Sequence, residues 1–266
     1  MYPTRPRSSL RTAVVWEVLR SALERRAKEL GRPVLDVLDT GGGTGNFAVP
    51  VARLGHRVTV VDPSPDALFA LERRAAESGV TDLVRGLQGD TQTLADLVEP
   101  ASVDAVLCHG VLEVVDDPAE ALGQLTAGLR KGGVVSLLAA NRNGAVLARA
   151  IAGHFAEARA MLDTTAGAPS TTGPSATATD APTAAAWGGP PPRRFSVEEL
   201  RALADAAGLR VASVHGVRIF ADLVPGVLVD TEPGAVEALL ALELAAAEQP
   251  AFHAVATQLH LLAELR

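Results

Sequence analysis

The stretch Val37-Leu38-Asp39-Thr40-Gly41-Gly42-Gly43-Thr44-Gly45-Asn46 runs from an apolar segment into glycines and then into a helix pattern that begins at Phe47. Such an order reads as a buried strand, a tight loop and a helix, the opening unit of an α/β fold with a parallel sheet. Glycine lets the backbone approach a ligand closely and take φ values that other residues avoid. The spacing then discriminates among ligands. A dinucleotide fingerprint places glycines at i, i+2 and i+5; counted from Gly41, the last of these positions holds Asn46. A phosphate loop ending in Gly-Lys-Ser/Thr is not present. Asp39 stands two residues ahead of the first glycine, so the pattern is Asp-x-Gly-x-Gly-x-Gly, with Gly41, Gly43 and Gly45 in phase. A carboxylate there repels a pyrophosphate and suits a cationic ligand.

Outward from this stretch, apolar runs alternate with amphipathic helix patterns. A helix over 10–30 carries Val14, Val15, Val18, Leu19 and Leu23 on one face. Strands are expected over 56–61, 83–87, 103–108 and 134–139, with a turn at Lys131-Gly132-Gly133 before the last of them. Ser64 and Asp66 open a helix that Gly79 stops, and Asp117-Pro118 opens another. One further helix is expected over 144–162. Residues 163–192 collapse into Thr, Ala, Ser, Gly and Pro, which predicts a mobile insertion lacking core-forming residues, with Trp187 a stray within it. Ser196 and Glu199 form a capping box for a helix closed by Gly208. A strand over 209–220, a helix over 234–248 and a strand over 259–265 complete a single domain, 1–266.

Polar residues fall at the strand ends. Asp62 closes the second strand about 20 residues past the glycines, placed to accept both ribose hydroxyls of a nucleoside. Asp90, Thr91 and Gln92 follow the third strand, where a side-chain acceptor and a backbone N–H read an adenine edge. His109 follows the fourth and Asn141 and Arg142 the fifth. Each carboxylate taken alone is an ordinary solvated strand end; together they line the edge where open α/β sheets bind ligands.

Composition bounds the rest. Over 266 residues the formal net charge is −7, and only Lys28 and Lys131 are lysines. That disfavours broad, sequence-independent nucleic-acid binding, which depends on phosphate neutralisation. Aromatic residues make up 3% of the chain, too few for a base-stacking platform. The lone Cys108 excludes a disulfide framework and cysteine-based zinc, and six scattered histidines show no metal-ligand spacing. With no apolar run of the roughly 18 residues a membrane span needs, and no signal-peptide pattern, the expectation is a soluble, cytoplasmic protein without a metal.

As a set, Asp39-x-Gly-x-Gly-x-Gly, Asp62, Asp90-Thr91 and the turn after Leu129 resemble class I S-adenosylmethionine-dependent methyltransferases. The resemblance implies a Rossmann-like, seven-stranded sheet with helices on both faces, an antiparallel last strand, and S-adenosyl-L-methionine as cofactor. A narrower resemblance, to the tRNA 5-carboxymethoxyuridine methyltransferase family, is carried by Leu10-Arg11, Ala13 to Trp16, His109-x-Val-Leu-Glu113, Asn141, Gly216-Val-Arg-x-Phe220 and Leu242-Glu243. It implies that Arg11, Gly41, Gly42, Asp62, Thr91, Gln92 and His109 touch the cofactor, with the Arg11 guanidinium on the methionyl carboxylate. The substrate it implies is the carboxylate of a modified wobble uridine in tRNA.

A carboxylate acceptor is already ionised near pH 7 and needs no general base. A less acidic acceptor needs one, and His109 is then the candidate, although at a strand end it also suits the cofactor pocket. For substrate positioning the candidates are Arg218, Asn141 and Arg142, with an ion pair from Arg218 to Asp222 or Glu243 as the structural alternative. His215 reads as a strand histidine facing water. Where the narrower family carries a lysine-rich loop, this chain has its Thr/Ala/Pro-rich stretch. A small-molecule O- or N-methyltransferase, or a cofactor-binding subunit without catalysis, therefore stands beside the tRNA reading.

Overall fold

The computed structural model describes residues 8–162 and 192–266. Seven strands form one sheet in the order β3-β2-β1-β4-β5-β7-β6. In chain order they are β1 (Asp36–Thr40), β2 (Arg57–Asp62), β3 (Val84–Gln88), β4 (Val103–His109), β5 (Leu129–Ala140), β6 (Leu209–Val217) and β7 (Gln258–Leu265). Pairings from β3 through to β5 are parallel, whereas β7 runs antiparallel to both β5 and β6. The chain moves outward from β1 through β2 to β3 and returns to the other side of β1 as β4. This reversal opens a crevice at the C-terminal ends of β1 and β4.

The central strands are apolar on both faces because helices cover both. Val37 and Leu107 face Leu19 and Leu23 of α1 (Ser8–Leu30), Val51 of α2 (Ala48–Arg53) and Leu71 of α3 (Pro65–Glu77). Their chain neighbours Leu38, Val106 and Cys108 face the opposite layer. That layer contains Leu122 and Leu125 of α5 (Pro118–Ala127), behind the short α4 (Leu94–Leu97), and Leu200 of α8 (Val197–Ala206). Helix starts follow the expected chemistry. Asp117 Oδ1 accepts from the Ala119 and Glu120 amides at 2.8 and 3.1 Å. Both bonds of the Ser196–Glu199 capping box form, at 2.7 and 3.3 Å.

Three expectations change. The turn at Lys131-Gly132-Gly133 lies within β5 as an irregularity: pairing jumps from Val103↔Leu129 to Ala105↔Val134, with Gly132 at φ +70°. The helix expected over 144–162 is two, α6 (Arg142–Ile151) and α7 (Phe155–Leu162), parted where Gly153 turns left-handed at φ +81°. The strand expected to reach residue 220 stops at Val217. Arg218 takes φ +58°, and the amides of Ile219, Phe220 and Ala221 leave the sheet for the buried Glu243 carboxylate, at 3.0, 2.8 and 2.7 Å. Beyond that turn come α9 (Gly226–Thr231), α10 (Ala235–Ala247) and α11 (Pro250–His253), of which only α10 is legible as a sequence pattern. The insertion at 163–192, apart from Pro192, lies outside the described residues, as does Trp187.

Candidate functional site

The glycine loop sits where Asp39 ends its strand. Gly41 takes φ +63°, and a Cβ there would lie 2.7 Å from Val111 Cγ2, on the loop that follows β4. A Cβ on Gly42 would lie 2.6 Å from the Asp39 carboxylate. Only bare backbone therefore fits between the carboxylate and the crevice. Gly45 N–H donates to Gly42 O at 2.9 Å, closing the loop ahead of α2. The Gly43 amide donates to Asp62 Oδ2 at 2.9 Å, and the Ser64 amide to Asp62 Oδ1 at 2.9 Å. Asp62 thus joins the ends of β1 and β2 while its carboxylate keeps lone pairs for a ligand.

Asp39 is the electrostatic anomaly of this edge. It is buried, and its Oδ2 meets no hydrogen-bond donor among the described residues. Burial raises its pKa to about 7, with the neighbouring Asp62 charge adding to the shift. A buried acceptor of this kind suits a cationic ligand group, as the sequence pattern anticipates. At the end of β3, Asp90 Oδ1 accepts from the Gln92 and Thr93 amides, each at 3.0 Å, and those bonds hold its pKa below the usual carboxylate value. The turn leaves Thr91 buried and Gln92 exposed. Thr91 and Gln92 border a small cleft with Val115 and Asp117 from beyond β4.

The opposite wall is built by β4, β5 and the segment that re-enters the described chain at residue 192. His109 is partly buried, its ring 4.5 Å edge-on from that of Phe47, and burial depresses its pKa to about 3. Glu113 accepts the Ala140 amide at 2.8 Å through Oε1, tying the loop after β4 to the end of β5. Its Oε2 is buried with no partner among the described residues, and burial lifts its pKa to about 7. The Arg193 amide donates to Glu113 O at 2.8 Å, and Phe195 bridges Asn141, so residues 193–195 cross the ends of β4 and β5.

Three expected substrate-positioning residues have other partners here. Asn141 is buried; its Nδ2 donates to the carbonyls of His253, Ala254 and Ala256, at 2.9, 3.3 and 2.7 Å, pinning the approach to β7. Arg142 clasps both carboxylate oxygens of Glu199, at 2.7 and 2.8 Å. Arg218 pairs with Asp222 at 2.7 Å, the structural alternative read from the sequence. Arg11 is exposed one turn ahead of Val14 and Val15, which pack on Leu138 and Val217 at the C-terminal ends of β5 and β6.

Two groups stand out that no local pattern marks as functional. One is Glu113, which the sequence shows only as part of a longer resemblance. The other is Arg194. Among the described residues no carboxylate lies within ion-pairing distance of its guanidinium, and burial together with the like charge of Arg149 lowers its pKa. His215, expected to face water, is buried instead, because α10 and α11 pack over β6.

Residues 38–137 match the protein family described as "Methyltransferase domain". The chain is 36% identical over 149 residues to the tRNA 5-carboxymethoxyuridine methyltransferase of Escherichia coli, covering 56% of this chain and 55% of that protein. It is 34% identical over 133 residues to the ubiquinone biosynthesis O-methyltransferase of Xanthomonas campestris, covering 49% and 54%. The chain thus spans about half the length of the curated relatives it matches. Among solved structures, the magnesium protoporphyrin IX methyltransferase of Synechocystis with bound SAH superposes with TM-score 0.56 at 16% identity, covering 98% of this chain and 83% of that one. No described helix is long and apolar enough to cross a membrane. Residues 38–137, which match that family, lie within a seven-stranded sheet that shares its fold with the solved methyltransferase structure.

Proposed function

We propose that this chain is an S-adenosylmethionine-dependent methyltransferase that esterifies an anionic acceptor, the carboxylate of a modified wobble uridine in tRNA. The observation that carries the acceptor class is Arg194, a partly buried guanidinium with no carboxylate partner among the described residues, on the segment crossing the ends of β4 and β5. A cation left unneutralised and desolvated gains most from an incoming carboxylate, which it binds bidentately. The Escherichia coli relative, a tRNA 5-carboxymethoxyuridine methyltransferase, supports this reading.

The residues fit the cofactor. Asp39 offers a buried, unpartnered oxygen under a loop of bare backbone, matched to a cationic group. Asp62 keeps lone pairs for ribose hydroxyls, and Thr91 and Gln92 line the cleft suited to adenine. When bound, S-adenosylmethionine supplies an electrophilic methyl group on a sulfonium. The protein then orients the acceptor and excludes water. No side chain has to remove a proton, because the acceptor is already ionised near pH 7.

A second reading, a small-molecule O- or N-methyltransferase, is favoured by Glu113. Its buried, unpartnered Oε2 and a pKa near 7 suit a base for a protic acceptor, and ubiquinone-pathway relatives are of that kind. The product decides between them. With tRNA lacking the ester and methyl-labelled S-adenosylmethionine, the first reading expects label on tRNA that mild base releases as methanol. Base-stable label, or turnover of a free small molecule indifferent to added tRNA, overturns it.

A further inference from the structure

A row of polar side chains crosses four neighbouring strands inside the protein. Register sets His109 of β4 beside Leu138 of β5, Leu138 beside His260 of β7, and His260 beside His215 of β6. All four therefore share one sheet face, the one on which Leu138 meets Val14 and Val15 of α1. Ser136, two residues before Leu138, faces the same way and links the row. His109 Nε2 is 2.9 Å from Ser136 Oγ, which is 2.8 Å from His260 Nε2. His260 Nδ1 is 3.2 Å from His215 Nδ1, and His215 Nε2 is 3.6 Å from a carboxylate oxygen of Glu248. The row runs from the crevice to a side chain that is 78% exposed at the end of α10.

Its direction follows from its outer end. Burial pushes the pKa of all three histidines down, so each holds one ring proton. A neutral imidazole donates at one nitrogen and accepts at the other. The Glu248 carboxylate lies at ion-pair rather than hydrogen-bond distance, and its negative charge draws the His215 proton to Nε2, which leaves Nδ1 as acceptor. His260 must then donate from Nδ1 and accept at Nε2. Ser136 donates to His260 and accepts from His109 Nε2–H. The opposite order would aim a lone pair of His215 at the carboxylate. His253, the other titratable group near His215, is engaged through Nε2 with Ala247 O at 3.0 Å and takes no part.

We infer that Glu248, acting through His215, His260 and Ser136, fixes His109 as the Nε2–H tautomer and so presents its Nδ1 lone pair to an N–H of the ligand in the crevice. Nδ1 of His109 is buried without a partner among the described residues. Asp39 pairs with Leu107, two residues before His109, and so lies on the same face. A buried carboxylate and an imidazole lone pair together select a cationic amine. That this amine belongs to the cofactor rests on the proposed function; the tautomer does not. Glu248, His215, His260 and Ser136 are positioning residues.

Substitution at the outer end tests the row. Glu248→Lys reverses the charge facing His215 Nε2, so the hydrogen bonds from His215 to His109 invert with no change in the number of protons the row holds, and His109 becomes Nδ1–H. Long-range proton–nitrogen spectra of the imidazoles read this directly. The expected result is a change of His109 tautomer in Glu248→Lys, with S-adenosylhomocysteine affinity falling roughly 10- to 100-fold, as for one lost hydrogen bond to a charged group, and an unchanged melting temperature. Ser136→Ala cuts the row, so adding Glu248→Lys to it should leave His109 unmoved. A His109 spectrum indifferent to Glu248→Lys, or moved equally with Ala at 136, overturns the inference. Inversion in a protein that does not bind S-adenosylhomocysteine supports the row and removes the cofactor reading.

Discussion

Asp62 reaches the Gly43 amide across 19 residues of chain, whereas Asn141 reaches the Ala256 carbonyl across 115. The contrast holds throughout the two wings of the sheet. On the β1–β2–β3 side, polar contacts are short in sequence: Asp90 closes on Thr93, and Asp39 sits under Gly42. On the β5–β7–β6 side, Ser136 meets His260 across 124 residues, and Asn141 reaches the His253 carbonyl across 112. The first wing is a set of turns that fold with their own strands. The second is a network that exists only once distant segments have docked, and a buried polar network of that kind is costly to leave partly satisfied.

Breaking the second wing should have the largest effect. Glu243→Ala leaves three amides without their acceptor in the interior, and should lower unfolding free energy by about 4 kcal/mol. Urea unfolding measures it, and a loss below about 1 kcal/mol would show that the turn after β6 closes without this carboxylate.

The first wing should answer a charge change with opposite signs for stability and binding. The Asp39 pKa is raised in the folded protein to about 7, from 3.8. Stability from this group is therefore complete below about pH 4 and lost as pH rises towards 7. Asp39→Asn should be more stable than the parent by roughly 2–4 kcal/mol above pH 7, with no difference below about pH 4. S-adenosylmethionine affinity should fall more than about 10-fold in the same variant. The histidine row works the other way. His109, His215 and His260 have depressed folded pKa values, so their contribution is present above about pH 6.5 and lost as pH falls. Melting curves from pH 4 to 8 should show the two trends cross, and equal pH profiles for parent and Asp39→Asn would refute the assignment to Asp39.

Asp62 tests whether the first wing is self-contained. Asp62→Ala should weaken cofactor affinity roughly 10- to 100-fold. A strand-end carboxylate read from the sequence alone would leave stability untouched. The bonds to the Gly43 and Ser64 amides instead predict a loss of about 1–2 kcal/mol. Paired calorimetric titration and thermal unfolding separate the two effects.

The smallest effects sharpen the acceptor wall. Arg194→Ala should raise the acceptor KM about 10-fold with cofactor affinity unchanged, since only the anion loses its partner. Arg218→Ala removes an ion pair with Asp222 that is partly exposed and should shift stability by no more than about 0.5 kcal/mol. If Arg218→Ala raises KM and Arg194→Ala does not, the acceptor lies further along the sheet than proposed.

Much of this was legible because it is local. The glycine pattern after Asp39, the acid after β2, and caps at Ser64, Asp117 and Ser196 are decided by residues a few positions apart, and the α/β class with its parallel sheet follows from alternation. Apolar periodicity could not show that β6 stops at Val217, because Ile219 and Phe220 continue the pattern. Only the carboxylate of Glu243, on α10, removes their amides from the sheet. Nor does an exposed or a buried setting show in a single histidine codon: His215 alternates like a surface residue and is covered by helices that come later in the chain.

The sequence by itself determined the α/β class, the crevice at β1 and β4 and the chemistry of its glycine loop, because hydrophobic periodicity, capping and backbone freedom act over a few residues. Tertiary structure decided which polar groups on the far wall are engaged. Arg142, Arg218 and Asn141 found partners, Glu113 Oε2 found none and Arg194 no carboxylate among the described residues, and four side chains from four strands became one hydrogen-bonded row. Desolvation and hydrogen-bond satisfaction depend on what packs alongside, and β5 acquires β7 and its approach as neighbours from a segment more than a hundred residues away.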